Sequence, residues 1–172
     1  TPFLQPGDIG IVHAYEYLVF IAIGLGGAVV ASAYMHAIDL SASLARRLPL
    51  PGPIKTALAG LALGITALLV PDILGMGQDL LSSVLNGQAP PFPELLAIFV
   101  AKLLMTAICL GFGFAGGVFS PALLIGALYG ALMGSGVELA LADQQSPLPV
   151  YAVCGLVAVV SPVIGAPLTA IL

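Results

Sequence analysis

The sequence predicts an all-α polytopic membrane protein, and three observations carry that prediction. Of the 172 residues, 60% are hydrophobic and only 7% are charged, whereas an ordinary soluble domain has roughly 25% charged residues. The mean hydropathy of +1.15 implies more apolar surface than one soluble core can remove from water. The apolar residues also lie in long runs, separated by segments rich in proline and glycine. We therefore expect one transmembrane domain over residues 1–172, with no soluble domain and with lipid as its main solvent.

The first predicted span covers residues 15–44. At about 30 residues it exceeds the roughly 20 that cross the hydrocarbon core, so we expect it to be strongly tilted or to project beyond the bilayer. The loop that follows, residues 45–55, holds three of the four basic residues of the chain, Arg46, Arg47 and Lys55. The positive-inside rule places this loop in the cytoplasm.

Two more spans are predicted over residues 54–70 and 94–111. The first of them is short and rich in Gly and Ala, which allows neighbouring helices to approach closely. Between the two spans, "ILGMGQDLLSSVL" is expected to form a short interfacial or re-entrant helix. The prolines of "APPFP" end that helix.

Lys102 lies in the middle of the third predicted span. A lysine at that depth costs on the order of 3 kcal/mol, so we expect its ammonium to face protein or water and not lipid. Two interpretations remain open: a charge on an ion path, or a lysine that snorkels or binds carbonyl groups at a broken helix end.

The last third of the chain predicts broken helices. A helix is expected over residues 118–140, and "VYAVCGLVAVV" is too short to cross a membrane alone. We expect "SPVIGAP" to break that segment and "LTAIL" to begin another helix, inside which the sequence ends; a fragment of a longer chain is therefore expected. Non-helical backbone at membrane depth survives only inside protein or beside a water-filled cavity, and transporters often build their sites from such half-helices.

The stretch "GGVFSPALLIG" has the residues of a half-helix start. A helix that begins at Gly117 or Val118 places Pro121 at the edge of the first turn, where a missing N–H does little harm. The first four N–H groups, which have no intrahelical partner, then belong to Gly117, Val118, Phe119 and Ser120. Together with the positive end of the macrodipole, these groups suit a small anion.

Gly116 and Gly117 are expected to let the backbone turn sharply and to expose those amides. The Ser120 hydroxyl is expected to help cap the helix. The alternative is a Gly-Pro break whose amides are capped by a neighbouring carbonyl, and the residues alone favour neither interpretation.

Other chemistries find little support in the sequence. Cys109 and Cys154 lie inside apolar runs and are expected to pack as small hydrophobes, while His13 and His36 are too far apart to suggest a metal site. We expect no cofactor and no nucleic-acid partner, because no basic patch exists to neutralise phosphates. An intramembrane enzyme is not expected either, since the aspartates lie near loops or helix ends and Ser120 has no histidine near it in sequence.

Three segments together resemble a known family. "GGVFSPALLIGALYGALMG" resembles the signature at the second anion site of the CLC family of chloride channels and chloride–proton antiporters, and Gly117–Pro121 match its GxFxP core in full. "LGMGQDLL" and "GAPLTAIL" are similar to two other segments of that family, and all three occur in the family's order. The resemblance covers nearly the whole chain, from about the family's tenth helix to the start of its sixteenth, within the second of two inverted repeats.

The resemblance implies chloride transport in a lipid bilayer, by a homodimer with one pore in each subunit, in a bacterial-type inner or plasma membrane. By the match to GxFxP, the backbone amides of Val118 and Phe119 bind chloride, and the Phe119 side chain lies beside it. The motifs that carry the family's gating glutamate and pore tyrosine are not in this sequence, so a channel and a proton exchanger remain open. Gly165 stands where the family usually has arginine. An unrelated secondary transporter that binds a small carboxylate at the same kind of broken helix is the alternative.

Overall fold

The computed structural model describes residues 16–73, 77–141 and 146–169. Within these ranges all regular elements are helical. They are α1 (Glu16–Arg47), α2 (Gly52–Leu69), a 3-10 turn (Pro71–Ile73), α3 (Gln78–Leu85), α4 (Phe92–Gly111), α5 (Phe119–Leu141) and α6 (Leu148–Thr169). All of these helices except α3 and the 3-10 turn are long and apolar enough to cross a membrane. The all-α polytopic fold class is thus confirmed.

Prolines set the starts of two spans. Both α2 and α4 begin two residues earlier than expected, with Pro51 and Pro91 as their N-caps. Pro53 and Pro93 therefore lie inside the first helical turn, where the absent N–H has no intrahelical acceptor to lose. The sequence-based bounds were too late because they treated each proline as part of the loop.

The long first helix is confirmed, since α1 has 32 residues and continues through Arg47. The short helix between the second and third spans is also confirmed as α3, of 8 residues. Gly77 is its N-cap, in the left-handed conformation with φ 63°, which L side chains rarely adopt. The first three residues of the "LGMGQDLL" segment lie outside the described residues.

The break expected at "SPVIGAP" is wrong, because α6 continues through Ser161 and Pro162 to Thr169. Pro162 cannot donate to the carbonyl of Ala158, so the helix lacks one internal hydrogen bond there. Packing on both sides offsets that loss: Val159 and Val163 are buried, and a Cβ placed on Gly27 of α1 would lie 3.2 Å from the Ala158 oxygen. Enclosure between neighbouring helices thus keeps a helix continuous where the local sequence favours a break.

Helix α5 is the most enclosed of the five long helices. One face packs against α3 and α4 in a cluster centred on Leu124 and Leu128. The opposite face packs against α1 and α6 in a second cluster that includes Ala122 and Ile125. The amino end of α5 is therefore held by the four helices around it.

Small residues bring α5 and α6 into direct backbone contact. A Cβ on Gly155 would lie 2.5 Å from the Gly130 Cα, and a Cβ on Gly126 would lie 2.7 Å from the Leu156 Cα. No side chain fits at these positions, so the two helices meet through their main chains. Such close approach through small residues is a common way for membrane helices to associate.

Candidate anion site

Helix α5 begins at Phe119, one or two residues later than expected. The Ala122 N–H donates to the Val118 oxygen at 3.2 Å, which makes Val118 the N-cap. The N–H groups of Val118, Phe119 and Ser120 precede that first helical bond, and Pro121 has no N–H. None of the three donates to a backbone carbonyl in the described part of the chain. These three residues belong to the set of four amides named from the sequence, and anion binding by them stays a prediction.

The side chains of Val118 and Phe119, the second and third residues of the GxFxP match, lie in different surroundings. Val118 is half-buried and packs against the second cluster, beside residues of α1 and α6. Phe119 is 50% exposed. A Cβ on the neighbouring Gly117 would have no atom within 4 Å. The amino end of α5 is thus anchored through Val118 and open around Gly117 and Phe119.

The sharp turn before α5 is made by Gly113, not by Gly116 and Gly117 as expected. Gly113 has φ 97°, and neither of the other two glycines has a positive φ. The Gly113 N–H donates to the Leu110 oxygen at 3.2 Å, and the Phe114 N–H donates to the Cys109 oxygen at 3.0 Å. These two bonds form a Schellman motif, which closes the carbonyl end of α4. The backbone therefore turns at the end of α4, four residues ahead of the Gly117 backbone.

Two contacts with α2 hold this turn. The Thr56 Oγ1 donates to the Phe112 oxygen at 3.2 Å, from the second turn of α2 to the C-cap of α4. The Phe114 ring lies 3.4 Å from the position of a Cβ on Gly60. Sequence reasoning missed both contacts, since no periodicity or motif relates Thr56 to a residue 56 positions later.

The Ser120 hydroxyl does not act as the expected cap. Ser120 is the second helical residue of α5, whereas a capping side chain belongs to the residue before the helix. Its hydroxyl makes no hydrogen bond to any other described residue. The N-cap is Val118, whose side chain has no acceptor, so the amides of this helix end receive no cap from their own N-cap residue.

Lys102 binds a carbonyl group, which is one of the two interpretations left open by the sequence. Its side chain is 4% exposed, and its Nζ donates to the Ile73 oxygen at 2.8 Å. Ile73 ends the 3-10 turn after α2, where carbonyl groups lack helical partners. Lys102 is ten residues before Phe112, or about 15 Å along the axis of α4. The bond thus holds the ammonium at the turn that follows α2.

The basic residues lie near the carboxyl end of α4, where the chain turns towards α5. A Cβ on Gly111 would lie 2.6 Å from the Ala42 nitrogen, and Arg46 follows four residues later on α1, about 6 Å along the helix axis. Arg46 is exposed and donates to the Ser43 Oγ at 2.9 Å. Lys55 adjoins Thr56, which contacts Phe112. A positively charged surface therefore adjoins the turn that leads into α5.

Within the described ranges, the remaining polar residues do not gather into a second site. Asp39, Glu94 and Glu138 are exposed, as expected for residues at the ends of spans. No group of three or more metal-ligating side chains occurs among the described residues; His13 and Asp8 lie outside them. A cavity of about 450 Å³ between α4 and the second half of α5 has an apolar lining, which includes Phe92, Tyr129 and Met133. This cavity is apolar and lies further along α5 than Phe119. It is therefore separate from the amides at the amino end of α5.

Several known proteins of one family are similar to this chain. The sequence matches the voltage gated chloride channel family over residues 3–172. A ClcB-like protein of Ralstonia nicotianae is 34% identical over 163 residues, which are 94% of this chain and 37% of that protein. The H(+)/Cl(-) exchange transporter ClcA of Vibrio vulnificus is 35% identical over 117 residues, 68% of this chain and 25% of that transporter.

A plant protein is similar as well. The chloride channel protein CLC-f of Arabidopsis thaliana is 35% identical over 137 residues, 72% of this chain and 17% of that protein. The chain thus spans between 17% and 37% of the length of these relatives. Because the family match covers nearly the entire sequence, and includes both the open amino end of α5 and the helices that hold it, the chain belongs to the voltage gated chloride channel family.

Proposed function

We propose that this chain contributes to chloride transport across a membrane, with the anion held at the amino end of α5 by the backbone amides of Val118 and Phe119. The observation that carries the proposal is the set of N–H groups on Val118, Phe119 and Ser120 that precede the first helical bond. An unmet N–H costs several kcal/mol at membrane depth. A chloride ion would accept from these groups and would also be attracted by the positive end of the helix macrodipole.

The surroundings of the amides suit a small, weakly held ion. Gly117 is exposed and leaves open space beside the helix end, and the Lys102 ammonium donates to the Ile73 carbonyl. A site without a full positive charge binds an anion without trapping it, which conduction requires. The half-exposed Phe119 ring would line the path beside the ion. The proposal needs no cofactor and no covalent chemistry, because amide dipoles act without either.

The relatives support the transported ion and leave two mechanisms. The Vibrio vulnificus relative is named as an exchanger of protons and chloride, and a Salmonella typhimurium relative is named as a chloride channel. We therefore propose chloride as the ion that this chain transports. Protons are transported as well only if the mechanism is proton–chloride exchange. A homodimer in the lipid bilayer, with residues 45–55 on the cytoplasmic side, completes the proposal.

The test is flux from liposomes that contain the complete protein, with chloride and pH electrodes recording together. Chloride efflux is expected, and proton movement in the opposite direction would identify an exchanger. Gly117→Leu places a side chain where the ion would approach the amides, and it is expected to abolish chloride efflux. Gly64→Leu is the matched control, because a Cβ there also meets no atom within 4 Å but lies in the middle of α2.

Two outcomes would contradict the proposal at different levels. Absence of chloride efflux from the unmodified protein would remove the transport function. Normal efflux from Gly117→Leu would remove the assignment of the ion to the amino end of α5 and would leave transport itself in place.

A further inference from the structure

We infer that Thr56 is a positioning residue for the anion site, which it controls through the turn that joins α4 to α5. This inference rests on the proposed binding of chloride at the amino end of α5. It adds a residue on α2, a helix that GxFxP does not include, and assigns the Thr56 hydroxyl a role in setting where the amides lie.

The contact joins two groups that each have a reason to bond. Phe112 is the C-cap of α4, so its carbonyl oxygen has no partner within the helix. The Thr56 Oγ1 lies 3.2 Å from that oxygen and 3.3 Å from the Gly52 oxygen of its own helix. A hydroxyl has one hydrogen to donate, so the bond to Phe112 competes with the back-bond that threonine commonly makes inside a helix. The part-buried contact gives a hydrogen-bond donor to the Phe112 carbonyl, which receives none from the Schellman motif.

The bonded carbonyl belongs to the residue directly before the left-handed glycine. Gly113 has φ 97°, and a Cβ on it would lie 3.6 Å from the Thr56 Oγ1. The direction in which the chain leaves α4 is decided at this residue. The hydrogen bond from Thr56 to the Phe112 carbonyl therefore fixes the orientation of the peptide plane from which the turn starts.

Only five residues, 113–117, separate the C-cap Phe112 of α4 from the N-cap Val118 of α5. Their other contact with α2 is the Phe114 ring at Gly60, one helical turn after Thr56. Thr56 and Gly60 thus present one face of α2 to the turn. Because the linker is short, a displacement of the Phe112 peptide is transmitted to the Val118 and Phe119 amides, which are six and seven residues away.

Thr66 provides a control on the same helix. Its Oγ1 donates to the Ala62 oxygen at 2.9 Å, the same back-bond to the fourth preceding residue, and it also contacts the Met105 Sδ at 3.4 Å. Removal of this hydroxyl imposes a comparable loss on α2 and α4 without touching the turn at Gly113.

The experiment measures chloride affinity by calorimetry and anion selectivity by liposome flux in the complete protein. Thr56→Val removes the hydroxyl at nearly constant volume and is expected to weaken chloride binding roughly three- to tenfold, the factor that corresponds to one hydrogen bond. It is also expected to change the ratio of chloride to nitrate flux. Thr56→Ser keeps the hydroxyl and is expected to restore both quantities, and Thr66→Val is expected to leave both unchanged.

The outcomes separate this inference from the function beneath it. If the unmodified protein does not bind chloride, the proposed function fails. If it binds chloride and Thr56→Val retains the same affinity and selectivity, only the role of Thr56 is overturned, even when the melting temperature falls. If Thr56→Val and Thr56→Ala both fail to fold while Thr66→Val folds, Thr56 serves stability alone and the inference is overturned as well.

Discussion

The ammonium of Lys102 donates a hydrogen bond to the carbonyl oxygen of Ile73, 29 residues earlier and 2.8 Å away. The bond ties the middle of α4 to the 3-10 turn that precedes α3. The bond gives a hydrogen-bond donor to the carbonyl group at the end of the 3-10 turn, where a buried carbonyl without a partner is costly. The charge is thus held within the protein. This contact favours the second interpretation from the sequence, a lysine that binds carbonyl groups at a helix end.

Lys102→Met is expected to lower the free energy of unfolding by about 1–3 kcal/mol, because it leaves the Ile73 carbonyl without this donor. Chloride affinity is expected to remain unchanged, since the ammonium donates to the Ile73 carbonyl and the proposed site consists of backbone amides of α5. Thermal unfolding in detergent and chloride calorimetry measure the two quantities. Lys55→Met, at the part-exposed start of α2, is the control for the stability measurement. Weaker chloride binding with unchanged stability would instead support a charge on the ion path.

Val118→Ile is expected to leave halide selectivity nearly unchanged. The side chain of Val118 packs into the second cluster, so an added methyl group faces the core and not the amides. The ratio of chloride to bromide flux from liposomes checks this expectation. Phe119→Ile provides the contrast, because the half-exposed ring of Phe119 lies beside the proposed ion and its removal is expected to alter the ratio. A large change in Val118→Ile would count against coordination by the main chain.

Gly130→Ala is expected to destabilise the fold by about 1–3 kcal/mol, the usual cost of overpacking. A Cβ on Gly130 would collide with the Tyr151 carbonyl across the α5–α6 contact. Gly136→Ala is the matched control on the same helix, because its Cβ would meet no atom within 4 Å. That control is expected to be neutral or to gain up to about 1 kcal/mol from helix propensity. Equal melting temperatures for the two variants would show that the two backbones are not in contact.

Tyr34→Phe is expected to raise the free energy of unfolding by about 1 kcal/mol. The Tyr34 side chain is fully buried in the second cluster, and its hydroxyl has no hydrogen-bond partner in the described structure. A buried hydroxyl without a partner carries a desolvation penalty that phenylalanine does not. The control is Tyr17→Phe, which removes a hydroxyl from an exposed side chain. A lower melting temperature for Tyr34→Phe alone would reveal an acceptor in another part of the protein.

The triple variant Arg46→Gln, Arg47→Gln and Lys55→Gln is expected to slow chloride entry roughly two- to fivefold at low ionic strength. These cations lie at the end of the bundle where α4 turns into α5, and they raise the local concentration of anions by long-range attraction. The Debye length falls from about 30 Å at 0.01 M salt to about 3 Å at 1 M. The difference from the unmodified protein is therefore expected to vanish when an impermeant salt is added. A defect that persists at high salt would indicate a structural change instead of steering.

The extent of the helices could be predicted from the sequence because span length and apolar runs are local properties. The failures have a physical pattern. Pro162 favours a break by local rules, yet α6 stays helical because α1 and α5 enclose it and supply packing that the local sequence does not encode. Starts at Gly52 and Phe92 were missed by two residues, since prolines in a first turn are compatible with the helix.

The candidate site, like the helices, could be predicted from the sequence only in part. The position of the α5 amides within the chain was predictable, because a glycine pair before an apolar run with an early proline is a local signal. The residue that turns the backbone was misassigned, since four glycines occur between positions 111 and 117 and only hydrogen bonding identifies Gly113 as the left-handed one. The contact of Thr56 with Phe112 depends on how α2 packs against α4, which one sequence does not specify.

The backbone contact of α5 and α6 has a mechanical consequence. Two helices that touch through Gly130 and Gly155 have no flexible side chains between them to absorb a shift, so they translate and rotate as one stiff body. Helix α1 adjoins this body at Gly26 and Gly27, against Tyr129 and Ala158. Any movement of α5 must therefore be shared by α1 and α6, so these three helices form one frame behind the short linker that precedes Val118.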